Sequence, residues 1–132
     1  MNDLVQRITN AIFRQEGMSA DHHNPGNLRA APWLHGTSYS VIAMGGGFWM
    51  PTSREQGVAG AAHVVALHIA EGDSLKQLIG GKPGYAGWAP AADGNKTAEY
   101  IAHVKEWAAI PDENWPLWNY ILGTEVETEV AS

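Results

Sequence analysis

Glu16 stands where a carboxylate needs explaining. Leu4, Val5, Ile8, Ala11 and Ile12 recur at three- and four-residue spacing, the apolar stripe of a core-facing helix. Glu16 falls four residues after Ile12 and eight after Ile8, so it continues the buried stripe instead of the solvent face. Burial disfavours the charged form of a carboxyl group, and the negative end of the helix dipole acts in the same sense, so a raised pKa is expected. A carboxyl group that keeps its proton near neutrality is a general acid. Gly17 supplies the left-handed position that ends the helix, leaving the group at a terminus that a ligand can reach. A Glu-Gly pair also ends helices for capping reasons alone.

The loop from Ser19 to Asn27 is rich in turn-forming residues and runs into Asn24-Pro25-Gly26-Asn27-Leu28-Arg29. Asn24, Asn27 and Arg29 are polar groups close in sequence to the acid, although an Asn-Pro-Gly-Asn turn also satisfies its own backbone. His22 and His23 are adjacent here, but no second pair at ligand spacing follows. His63 and His68 are five apart and do not share one helical face, so no metal or other cofactor is expected.

The elements that position these groups follow in order. Residues 33–50 place β-branched and aromatic residues around Gly45-Gly46-Gly47, which predicts a small hairpin or irregular β region. Neither a Lys-Ser/Thr pair nor a helix start follows those glycines directly, so they are a turn and not a phosphate cradle. Thr52 with Glu55 and Ser53 with Gln56 form overlapping capping boxes for a helix reaching Gly72. Its Val58, Ala61, Ala62, Val65, Ala66 and Ile69 suggest the central buried helix. Ser74 and Gln77 cap a short third helix that stops at Gly80-Gly81. A loop over 82–96 leads to a fourth helix, with Asn95 as the expected N-cap and Tyr100, Val104 and Trp107 on one stripe. A short helix or packed turn over 114–122 closes the domain.

The helix ending in Glu16-Gly17, the loop, and Asn24-Pro-Gly-Asn-Leu-Arg29 together resemble the opening of peptidoglycan-cleaving domains of phages and bacteria. These belong to the goose-type lysozyme and lytic transglycosylase superfamily. Trp88-Ala89-Pro90 followed by Asn95-Lys96-Thr97-Ala98-Glu99-Tyr100-Ile101 is similar to a segment of phage-borne transglycosylase-like proteins. The resemblance spans roughly Ile8 to Trp107. It departs at Lys96, where the family carries Glu before Thr. It implies an α+β, mostly α, lysozyme-like domain of four to five helices, with the β-hairpin or extended loop beside a sugar cleft. It also implies that Glu16 is the catalytic acid, that Asn24, Asn27 and Arg29 line the substrate groove, and that Tyr100 approaches Glu16. Read from its helix stripe alone, Tyr100 is equally a core aromatic. Trp49 and Trp88 are candidates for stacking on sugar faces.

Glycosidases commonly use two carboxyl groups, one as acid and one as nucleophile or base. The candidates for the second are Asp21, Glu55 and Asp93. Asp21 sits in a polar loop, Asp93 precedes Gly94 as a turn residue does, and Glu55 is accounted for as the N3 member of a capping box. A lytic transglycosylase needs no second carboxylate, because the muramyl C6 hydroxyl attacks the anomeric carbon of its own sugar.

The chain has 132 residues, enough for one domain with a real core: residues 1–123, with 124–132 as an acidic tail. Hydrophobic residues make up 45% and charged residues 17%, a globular composition. With no cysteine there is neither a disulfide framework nor thiolate chemistry. Eight basic residues against fourteen acidic ones give a net charge of −6, which excludes an electrostatic footprint for nucleic acid. No signal peptide and no membrane span are visible, so the expectation is cytoplasmic synthesis with action on the cell wall. The expected function is a muramidase cutting the bond between N-acetylmuramic acid and N-acetylglucosamine, in the manner of a phage endolysin. Its expected partner is the peptidoglycan strand, reached through a holin, virion or secretion machine. The alternative is a non-catalytic virion or glycan-binding protein with the same fold, which the acidic charge favours.

Overall fold

The computed structural model describes residues 3–17, 23, 24, 26, 51 and 53–121. The described residues are mostly helical. Helix α1 spans Asp3–Glu16, α2 Arg54–Ala70, α3 Leu75–Gly80 and α4 Thr97–Trp107, with a 3-10 turn at Ala91–Asp93 before α4. Helical geometry recurs at 118–121. β structure among the described residues is confined to two isolated antiparallel bridges, Ser74 with Pro116 and Lys82 with Tyr85. The hairpin expected over 33–50 lies outside the described residues.

The core forms where the apolar stripes meet. Ile8 and Ile12 of α1, Val65 of α2, Leu75, Leu78 and Ile79 of α3, Val104 of α4 and Leu117 are fully buried in one cluster. Each such side chain contributes about 1.5–3 kcal/mol when removed from water. α1 packs against both α2 and α4, and α4 packs against α3. Both α1 and α4, and not α2 as the small residues suggest, are therefore helices held between two others. Gly57, Gly60, Ala61 and Ala62 of α2 are buried, but Leu67 and Ala70 are exposed.

Helix ends follow local chemistry in part. Ser53 caps α2 by accepting from the Gln56 N–H, so Glu55 is the second helical residue and not the third as expected. At α3 the capping box is complete: Ser74 Oγ accepts from Gln77 N, and Gln77 Oε1 accepts from Ser74 N. At α4 the expectation fails. Lys96 is the N-cap residue, and the Asn95 amide instead donates to the Pro90 carbonyl. Thr97 Oγ1 donates to the Ala89 carbonyl at 2.7 Å, so this end is held by the preceding loop. The C-terminus of α4 folds back through Ile110 N to Lys105 O and Ala109 N to Glu106 O, with Ala109 left-handed at φ 56°. That is a Schellman motif with alanine where glycine is usual. Arg7 of α1 donates through Nε to the Ala108 carbonyl, supplying a cation and a donor to the same helix end.

Candidate active site

Glu16 is the last residue of α1 and is half-buried. Gly17 follows at φ 64° and returns its N–H to the Phe13 carbonyl at 3.0 Å, which ends the helix as its sequence predicts. The Glu16 carboxyl group meets Tyr100, in the first turn of α4. The phenolic O–H donates to Glu16 Oε2 at 2.6 Å. Tyr100 is only 5% exposed. Burial pushes its hydroxyl well above the ordinary tyrosine range, and the charge of Glu16 and the hydrogen bond to it push the same way. Tyr100 is therefore a donor throughout the pH range in which proteins work.

Two further contacts join the last turn of α1 to α4. Gln15 Oε1 lies 2.7 Å from His103 Nδ1, and the Arg14 guanidinium lies 4.2 Å from the centre of the Trp107 ring. His103 stacks on Trp107 with ring centres 5.1 Å apart. Partners descend α1 as they ascend α4, from Glu16 with Tyr100 to Arg7 with Ala108, so the two helices run antiparallel.

Asn24 is 3% exposed, and the ring of its neighbour His23 lies 3.3 Å from the Pro51 carbonyl. Gly26 lies against Trp88. A Cβ at Gly26 would stand 2.9 Å from the Trp88 ring and 3.4 Å from both Ala61 and Phe13. Trp88 Nε1 donates to the Gly26 carbonyl at 2.7 Å. Trp88 thus ties this part of the loop to the α3–α4 connection, with its N–H already used, and its ring packs on the core. Asn27, Arg29, Trp49 and Asp21, all expected to belong to the site, lie outside the described residues, as does the Asp93 side chain. Glu55 is exposed on the first turn of α2.

A second polar cluster escapes sequence reading. His68, Glu71 and Asp73 bring their ligand atoms within 4.8 Å of one another at the end of α2. Lys82 already supplies a cation there, its ammonium 2.6 Å from Asp73 Oδ1 and 3.0 Å from Glu71 Oε2. His68 Nδ1 lies 2.7 Å from Asp73 Oδ2, and its ring packs on Tyr85 at 4.2 Å. Burial raises the Asp73 pKa, but the hydrogen bonds from Lys82 and His68, with their charges, outweigh it and hold the carboxyl below its usual range. The residues could ligate a divalent cation only by displacing Lys82. The sequence signal was His-x-x-Glu-x-Asp across the helix terminus, with the lysine nine residues further on.

No family model matches the chain, and neither a curated protein nor a solved structure matches it.

Proposed function

We propose that this protein is a muramidase of the lysozyme-like superfamily, cleaving the β-1,4 bond from N-acetylmuramic acid to N-acetylglucosamine with Glu16 as general acid. The reading is supported most by the 2.6 Å hydrogen bond from Tyr100 to Glu16. Capping alone gives a helix-ending glutamate no reason to meet a buried phenol 84 residues away. A carboxyl group that must present one oxygen to a glycosidic bond gains from having the other fixed.

In the proposed reaction Glu16 gives its proton to the leaving glycosidic oxygen as the C1–O bond breaks. It then accepts the proton of the muramyl C6 hydroxyl as that oxygen closes onto C1, yielding a 1,6-anhydro sugar. One carboxyl group serves both steps, consistent with Glu55 being an exposed first-turn residue of α2. Asn27 and Arg29 are assigned to the proposed groove, whereas Asn24 is 3% exposed and so acts through the loop that carries it and not by touching the sugar.

The test is mass spectrometry of muropeptides released from purified peptidoglycan by the wild type and by Glu16→Gln. Anhydromuramyl products that vanish in the variant support a lytic transglycosylase. Reducing muramic acid ends mean hydrolysis and a second carboxylate. A folded wild type that releases nothing overturns the enzymatic reading. It then favours the second one, a glycan-binding or virion structural protein, for which the net charge of −6 is the specific observation.

A further inference from the structure

We infer that Gln15 and His103 form a positioning pair that holds the Glu16 carboxyl group on Tyr100. This inference rests on the muramidase reading for its kinetic consequence but not for its geometry.

Glu16 is the terminal residue of a helix, where the last carbonyls have no partner within the helix and the final turn tends to open. Something must hold that turn against α4 if the carboxyl oxygen is to stay 2.6 Å from the Tyr100 hydroxyl. The Gln15–His103 contact, at 2.7 Å, is made by the neighbouring residue on α1 and by the residue one turn along α4 from Tyr100. Positions three apart on a helix share a face, so Tyr100 and His103 present one edge to the end of α1. His103 is itself held on its other side by the Trp107 ring, which Arg14 covers. The imidazole is thus braced, and its Nδ1 can serve as the fixed point for Gln15. The amide of Gln15 accepts through Oε1, which makes Nδ1–H the donor. Both side chains lie largely at the surface, so the pair adds little to the core and acts through orientation.

The experiment compares His103→Ala, His103→Phe, His103→Asn, Gln15→Ala and the double alanine variant. Steady-state muropeptide release and the exchange of the Tyr100 hydroxyl proton with water, followed by NMR, are both measured. In His103→Ala and Gln15→Ala the expected result is a roughly threefold to tenfold fall in kcat, the range one hydrogen bond supports, with KM unchanged. Hydroxyl exchange should quicken by a similar factor. His103→Phe keeps the stacking on Trp107 but cannot donate, so it should match His103→Ala. His103→Asn, which carries an amide donor, should recover most of the loss. The double variant should lose no more than either single one, because both remove the same contact.

Wild-type kcat and hydroxyl exchange in His103→Ala, while Glu16→Gln is inactive, overturns the pair and leaves the muramidase reading intact. Additive losses, or rescue by Phe, also overturn it. If the wild type releases nothing but hydroxyl exchange quickens in His103→Ala and recovers in His103→Asn, the positioning pair stands and the muramidase reading falls.

Discussion

The hydroxyl of Tyr100 reaches the Glu16 carboxylate from the first turn of a helix that packs antiparallel to α1, and it reaches Oε2. Replacing Tyr100 with Phe keeps the buried ring and deletes only this donor. The expected loss of peptidoglycan-cleaving rate is about tenfold, smaller than the loss in Glu16→Gln, since positioning is removed and the acid remains. Unfolding in urea should show a cost of about 1 kcal/mol, because the half-buried carboxylate can turn toward water.

Asp73 carries a pH dependence of stability. Its folded-state pKa is depressed by Lys82 and His68 against the opposing effect of burial. It therefore binds a proton more weakly in the folded state than in the unfolded chain. Its stabilising contribution is present above its unfolded pKa and fades as pH falls through and below the ordinary carboxylate range. Asp73→Asn should lower the melting temperature by several degrees at pH 7 and by much less near pH 3. Melting curves of both proteins at the two pH values check this.

Ala109 holds a left-handed conformation at the end of α4 without being glycine. Ala109→Gly relieves that strain but gives the unfolded chain more freedom, and the first effect is the larger at such a position. The expected gain is about 0.5–1 kcal/mol, read from urea unfolding.

Gly26 and Trp88 leave each other no slack. Gly26→Ala drives a methyl group into the indole ring, at 2.9 Å before relaxation, and should cost about 1–3 kcal/mol. Trp88→Phe leaves the Gly26 carbonyl without its donor and should cost about 1–2 kcal/mol. Under the muramidase reading both variants should also slow glycan release, by disturbing the loop that follows Glu16. Chemical unfolding and muropeptide release separate the two effects.

Local signals in the sequence are legible where a few neighbouring residues decide the outcome. Gly17 ends α1, and Ser74 with Gln77 starts α3, because each involves groups within one helical turn. Asn95 misleads for the same reason: as an N-cap it is the natural choice locally, but Thr97 finds the Ala89 carbonyl and Asn95 finds that of Pro90. Nothing in the apolar stripe of α4 chooses Tyr100 as the residue that meets Glu16; only the resemblance to a known family suggested it. That the Trp88 N–H is used by the Gly26 carbonyl, 62 residues away, is likewise beyond the reach of local pattern. The Asp73 cluster is no more than hinted at by His-x-x-Glu-x-Asp, since a turn, a helix end and a lysine beyond α3 have to converge before the charges meet.

The antiparallel seam between α1 and α4 makes the site a property of the docked helix pair and of neither helix alone. Its two halves come from opposite ends of the described chain, and neither helix holds the other's group in place when alone. A chain in which α4 has yet to dock carries Glu16 on a loose helix end with no phenol beside it. Fraying of either helix dissolves the pair as a unit, so the terminal turn of α1 and the first turn of α4 share one opening equilibrium.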